Sequence, residues 1–196
     1  MRPPALVALV GVVLLGLWLW RASLFTVSRP GERPTALALR AADARQAVAL
    51  DVTVPSVPVG MAHLRDGEGV LLVHYWAPWE RHGRAQVEQL DSLRRLPGMG
   101  EVRVVVACFD PFPSVARFVA RRRLRLQVVI DGERHLARAL PCPSVPYTYV
   151  LDAAGRIAVA QPGEVDWLAP GTRAVLRRLV EEPAAQPAPR RTGSAA

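Results

Sequence analysis

Two short apolar runs, Val70–Trp76 (Val-Leu-Leu-Val-His-Tyr-Trp) and Val102–Cys108 (Val-Arg-Val-Val-Val-Ala-Cys), constrain this chain more than any other feature. A strand that reads as nearly continuous apolar is covered on both faces, and such strands belong to sheets flanked by helices. Between the two runs, Glu80 to Leu96 sets Val87, Leu90, Leu93 and Leu96 three residues apart, an amphipathic helix that Pro97-Gly98 stops. Strand, helix, strand predicts a parallel βαβ unit with a right-handed crossover. Ser114 is placed to cap a second helix running to about Arg123.

The second half reads differently. Leu126–Ile130 is expected to be a short strand ending at Asp131-Gly132, followed by a short helix over Glu133–Ala139. Tyr147–Leu151 and Ile157–Ala160 are joined by Asp152-Ala-Ala-Gly-Arg156, a glycine-containing loop that makes them an antiparallel hairpin. A last helix is expected from Pro170, suited to a first helical position, to Val180. The fold class is therefore α/β, a central mixed sheet with flanking helices.

At 196 residues the chain has room for one ordinary domain plus extensions. The formal net charge is +8, and all 25 basic residues are arginine. A basic balance raises nucleic-acid or anionic-membrane partners. The densest cluster (Arg117, Arg121, Arg122, Arg123, Arg125) falls where a helix should end, and cations there complement the negative end of the helix dipole. No interleaving of aromatic and basic residues supports base stacking, so no nucleic-acid partner is expected. Two cysteines, Cys108 and Cys142, and four scattered histidines resemble no metal motif, and neither a metal nor a cofactor is expected.

Ala5–Trp20 is a run of 16 uncharged residues, about 24 Å as a helix against a hydrocarbon core of roughly 30 Å. If Arg21 snorkels, the segment extends to Val27 and about 34 Å, enough to span. A transmembrane signal anchor over residues 1–27 is the favoured reading; a cleaved signal peptide is the alternative, although no A-x-A site is present. Residues 28–54 read as a linker and N-terminal extension, within which Thr35–Ala47 could form a short helix. Residues 55–181 are expected to be the folded domain and residues 182–196 a disordered Pro/Ala-rich tail.

Several stretches, in order, resemble the membrane-anchored TlpA/ResA-like thioredoxin-fold reductases. Val73-His-Tyr-Trp-Ala-Pro-Trp79 looks like the strand that leads into their Cys-x-x-Cys, and Val145-Pro146-Tyr147-Thr148 looks like their loop with a cis-proline facing the cysteines. Asp152–Ile157 and Gly163-Glu-Val-Asp-Trp167 resemble the hairpin and the segment after it. The resemblance covers roughly residues 55–181 and implies a thioredoxin-like fold, an anchor with its N-terminus inside, and a domain on the extracytoplasmic side of the inner membrane. Counting Arg21, Arg29 and Arg33 against Arg2 would by itself place the domain in the cytosol, and the resemblance is given more weight.

Where the family carries its two thiols this chain has Glu80 and Gly83, with Trp79 and Arg84 retained around them. Dithiol exchange needs a thiolate to attack and a second cysteine to resolve, and neither glutamate nor glycine does this. Glu80 suits a helix N-terminus as a cap, and an acid/base pair with His82 is the sharper reading, although no nucleophile is evident. The leading expectation is a peptide- or protein-binding or assembly module that uses Trp79, Glu80, His82, Val145, Pro146 and Tyr147, with main-chain pairing at the edge before Pro146. The alternative is a thiol-disulfide oxidoreductase or peroxidase acting through Cys142, with or without Cys108. A membrane-surface or nucleic-acid binder driven by charge ranks last.

Overall fold

The structure is a computed structural model that describes residues 26–27, 34–58, 60–65 and 69–183. In chain order the strands are β1 (Thr26–Val27), β2 (Asp51–Val57), β3 (Met61–Arg65), β4 (Val70–Tyr75), β5 (Val102–Cys108), β6 (Gln127–Ile130), β7 (Ser144–Val145), β8 (Tyr147–Leu151) and β9 (Ile157–Pro162). The helices are α1 (Arg81–Leu93), α2 (Phe112–Arg122), α3 (His135–Ala139) and α4 (Pro170–Glu181).

The apolar runs of the sequence become the centre of a seven-stranded sheet ordered β3-β2-β6-β5-β4-β8-β9. β4, β5 and β6 are parallel, and β8 and β9 are antiparallel additions on one side of β4. All six residues of β4 are buried, as a strand with helices or loops on both faces requires. One face carries Leu72, Trp76, Val104, Val106 and Cys108 under Val87, Leu90 and Leu93 of α1, Phe118 of α2 and Leu176 and Leu179 of α4. The other carries Leu71, Val73, Tyr75, Val105 and Ala107 against Leu50, Leu64, Leu136 and Leu140. Trp76, the residue after β4, and Phe118 of α2 pack with ring centroids 5.0 Å apart, an aromatic contact in addition to the aliphatic burial.

Several expectations are corrected. Thr35–Ala47 is not a helix: apart from a 3₁₀ turn at Ala42–Ala44 it runs extended along the outer edge of β9. Arg40 N–H donates to Ala158 O (2.8 Å), Ile157 N–H to Gln46 O (2.8 Å) and Val48 N–H to Gly155 O (3.1 Å), so the strap satisfies backbone groups that an edge strand would otherwise expose. Its Arg45 side chain is only 1% exposed and bonds Asp152, 3.1 Å away in the β8–β9 turn, and Glu182 just past α4. These partners supply the counter-charge that a buried guanidinium requires.

The β2–β3 hairpin, absent from the sequence reading, begins at Asp51, ahead of the expected domain start at residue 55. Pro55 lies where β2 passes from pairing with β3 to pairing with β6, a position at which a missing N–H is tolerated. Ser114 is not a helix cap. α2 starts two residues earlier, after Pro111, and the Ser114 hydroxyl donates back to Pro111 O at 3.0 Å. The expected anchor and the expected tail lie almost wholly outside the described residues; Thr26 and Val27, the last two of the anchor, form β1. Among the described residues no helix is long and apolar enough to cross a membrane.

Candidate functional site

The site is built where β4 ends and α1 begins. Trp76 N–H donates to Ala107 O (2.9 Å), which carries the sheet one residue beyond β4, and Ala77-Pro78-Trp79 then turns the chain into α1. Glu80 is the N-cap of α1, and its carboxylate accepts from the Gly83 N–H, one of the four amides left without partners at a helix start. Gly83 is buried, and a Cβ built there would lie 3.2 Å from Ala77 O and 3.3 Å from Glu80 Oε2. The two positions where the resembled family has thiols are thus a capping carboxylate and a closely packed glycine. Arg84 Nη1 donates to Pro78 O at 3.0 Å and fixes the turn from the far side.

Glu80 and His82 do not pair with each other. The structure instead sets His82 Nδ1 3.3 Å from Glu164 Oε1, while Glu80 is spent on the helix cap. The segment that carries Glu164 is tied to α1 a second time, by Val165 N–H donating to Gln86 Oε1 at 3.0 Å. Gly163 N–H donates to Pro146 O at 3.0 Å, so the same segment also reaches the loop opposite.

That loop supplies the other wall. The Val145–Pro146 bond is cis, Val145 is 8% exposed and Tyr147 is half-buried, its ring 5.0 Å from that of Tyr149. The loop is held from β4 and β8: Tyr75 Oη donates to Leu140 O (2.9 Å) and Tyr149 Oη to Pro141 O (2.6 Å). Trp79 stands out from the helix side with 64% of its surface exposed, the largest value among the exposed large hydrophobic residues described. β1 lies against this wall, pairing parallel with β7 in the register Thr26↔Ser144 and Val27↔Val145.

The two cysteines are not bonded to each other, and both are free. Cys108 is fully buried among the side chains under α1 and α2, whereas Cys142 packs against the opposite face, so the sheet separates them. Burial pushes each thiol up to about 12, and the nearby Arg134 and the Ser144 backbone only partly offset this for Cys142. Cys142 Sγ lies 3.1 Å from Ser144 O and serves as a donor. A thiol in this state supplies little thiolate near neutrality.

Sequence reasoning passed over His74. It is completely buried in the middle of β4, with Nδ1 3.0 Å from Thr148 Oγ1, its ring edge-on to Trp167 (5.5 Å between centroids, 86°) and no partner described for Nε2. Burial lowers its pKa from 6.5 to about 3, so it is a neutral group in the core beneath the site. The only sequence signal was a titratable residue in an otherwise apolar run.

No family model matches the chain, and no curated protein matches it. Solved structures do. A secreted thiol-disulfide isomerase from Corynebacterium glutamicum superposes with a TM-score of 0.61 at 21% identity, covering 81% of this chain and 98% of that one. StoA from Bacillus subtilis gives 0.56 at 16% identity, covering 69% and 100%. A thiol:disulfide interchange protein of the thioredoxin family from Chlorobium tepidum gives 0.58 at 18%, covering 71% and 97%. These likenesses establish the architecture: the chain has the thioredoxin-like fold of thiol-disulfide oxidoreductases, the fold that its motifs resembled.

Proposed function

We propose that this protein is a membrane-tethered thioredoxin-fold module of the TlpA/ResA type that binds an extended peptide or protein segment outside the cytosol and carries out no dithiol chemistry of its own. The observation that carries the reading is the pairing of Thr26–Val27 with Ser144–Val145, since an edge that takes one strand by main-chain hydrogen bonds has the geometry to take another. Exposed Trp79 and half-buried Tyr147 would supply side-chain selectivity beside that edge. Placement outside the cytosol is supported by the uncharged run Ala5–Trp20 and by the secreted neighbour from Corynebacterium glutamicum. The absence of dithiol chemistry is supported by Glu80 and Gly83 at the α1 start and by the raised pKa of both thiols, the buried Cys108 and the half-buried Cys142.

The test uses the full chain in nonionic detergent with Thr26→Pro and Val27→Pro, which remove two main-chain donors from β1. A labelled peptide spanning Ala22–Arg33 should bind this variant, slow amide exchange at Ser144 and Val145, and lose binding when its Thr26 and Val27 amides are N-methylated. Equal binding of the methylated peptide would remove main-chain pairing from the account. Disulfide reduction by the unaltered chain that disappears in Cys142→Ser would replace the proposal with a thiol enzyme.

A further inference from the structure

We infer that the cleft between the α1 entry and α2 is a binding site for a carboxylate-rich extended peptide. Two adjoining cavities, about 420 Å³ and about 310 Å³, share Arg84, Phe118 and Arg121 and together form a trough. Arg122 lines the first; Arg117, Trp79 and Asp110 line the second.

The charge balance of the trough is uneven. Among the described lining residues four are arginines and Asp110 is the one carboxylate. Arg122 is matched by Glu88, with Nε and Oε1 3.1 Å apart. Arg84 and Arg117 donate only to backbone carbonyls, Pro78 O and Pro113 O, which leave their charge uncompensated, and no partner for Arg121 is described. Cations fixed along one wall favour an anionic partner, and planar guanidinium groups match carboxylates in paired hydrogen bonds.

The remaining lining decides which anion. Trp79 and Phe118 give the trough an apolar side suited to the aliphatic and aromatic side chains of a peptide. Among the described lining residues Phe118 is buried, leaving Trp79 as the one exposed ring, and a nucleic-acid surface needs successive rings for successive bases. The inference is separate from strand pairing at Val145, because α2 carries three of the four arginines and β7 none.

The experiment measures fluorescence anisotropy of a labelled peptide of alternating Glu and Leu with the full chain in nonionic detergent. A Lys/Leu peptide and a single-stranded oligodeoxynucleotide of equal length serve as comparisons. The acidic peptide should bind, the lysine peptide should not, and the affinity should fall as salt shortens the screening length. Arg117→Gln with Arg121→Gln, both exposed on α2, should weaken binding about tenfold or more while circular dichroism stays unchanged. If that double variant loses its fold, Arg121→Gln alone is read in its place. Unchanged affinity in a folded variant, equal binding of the lysine peptide, or tighter binding of the oligonucleotide would each overturn the inference.

Discussion

The two walls of the site differ in what makes them. The helix wall, Trp79–Arg84, is set by local residues: a capping carboxylate, a glycine with little room above it and one arginine on a carbonyl. The loop wall, Leu140–Tyr147, is set from a distance, by hydroxyls of Tyr75 and Tyr149 that rise from β4 and β8. The difference teaches that the two walls have separate structural supports. The hydroxyls that hold the loop come from Tyr75 and Tyr149, and neither bond involves Glu80 or Gly83.

The strongest way to sharpen this contrast is to place thiols at positions 80 and 83. Glu80→Cys with Gly83→Cys should raise insulin disulfide reduction from background to ready turnover, because a thiolate at the start of α1 gains the helix dipole and a resolving partner within one turn. The first substitution removes the Oε2 contact at 3.3 Å; the second still requires a shift of a few tenths of an ångström near Ala77 O. Inactivity of a correctly folded double variant would mean that the loop wall does not present a substrate.

Next in size is a pH effect on the core that both walls share. His74 binds a proton at about pH 3 when folded and near 6.5 when unfolded. The unfolded state therefore takes up the proton first, and stability falls as pH drops from 6.5 toward 3, by about 1.4 kcal/mol per pH unit at the steepest. Urea denaturation at pH 7 and pH 4 should differ by about 3 kcal/mol from this residue alone. His74→Asn should flatten that part of the profile; an unaltered slope would assign the acid sensitivity to other groups.

A smaller effect should separate the walls directly. Tyr149→Phe leaves the Pro141 carbonyl without its 2.6 Å partner and should cost about 1 kcal/mol, read by chemical denaturation, with faster amide exchange confined to the loop at 141–145. Glu80→Ala should also cost about 1 kcal/mol, the usual effect of losing an N-cap, and should leave loop exchange unchanged. If each substitution loosens both walls equally, the independence argued above fails.

The strands that contact the site were readable because burial leaves a mark in sequence. Nearly continuous apolar runs, each broken by a single polar residue, gave β5 at its observed limits and β4 to within one residue. Asp152–Arg156 announced the hairpin through its glycine, which the structure places at φ +73°. The strap and the β2–β3 hairpin left no such mark. Thr35–Ala47 is rich in alanine and leucine, which favour helix, but pairing along the edge of β9 overrides that preference. The start of α2 was hidden because a serine drew attention away from Pro111 and Pro113, although proline in the first helical turn is itself a start signal. In the site, sequence proposed residues for both walls but could not give their partners: His82 meets Glu164, far along the chain, and spacing carries no information about such a contact.

The arginine clamp on the strap also sets an order of assembly. Ala38 bonds a residue 123 positions later, and Arg45 bonds partners 107 and 137 positions later. On a ribosome the strap emerges early, yet the strand edge it covers and the helix end it grips are among the last parts of the domain to appear. The strap can pair with the β9 edge only once β9 has emerged, and its Arg45 clamp can close only once Glu182 has been made. Until then the nascent domain exposes an edge able to pair with another chain, an interval in which its greatest hazard is a neighbouring copy of itself.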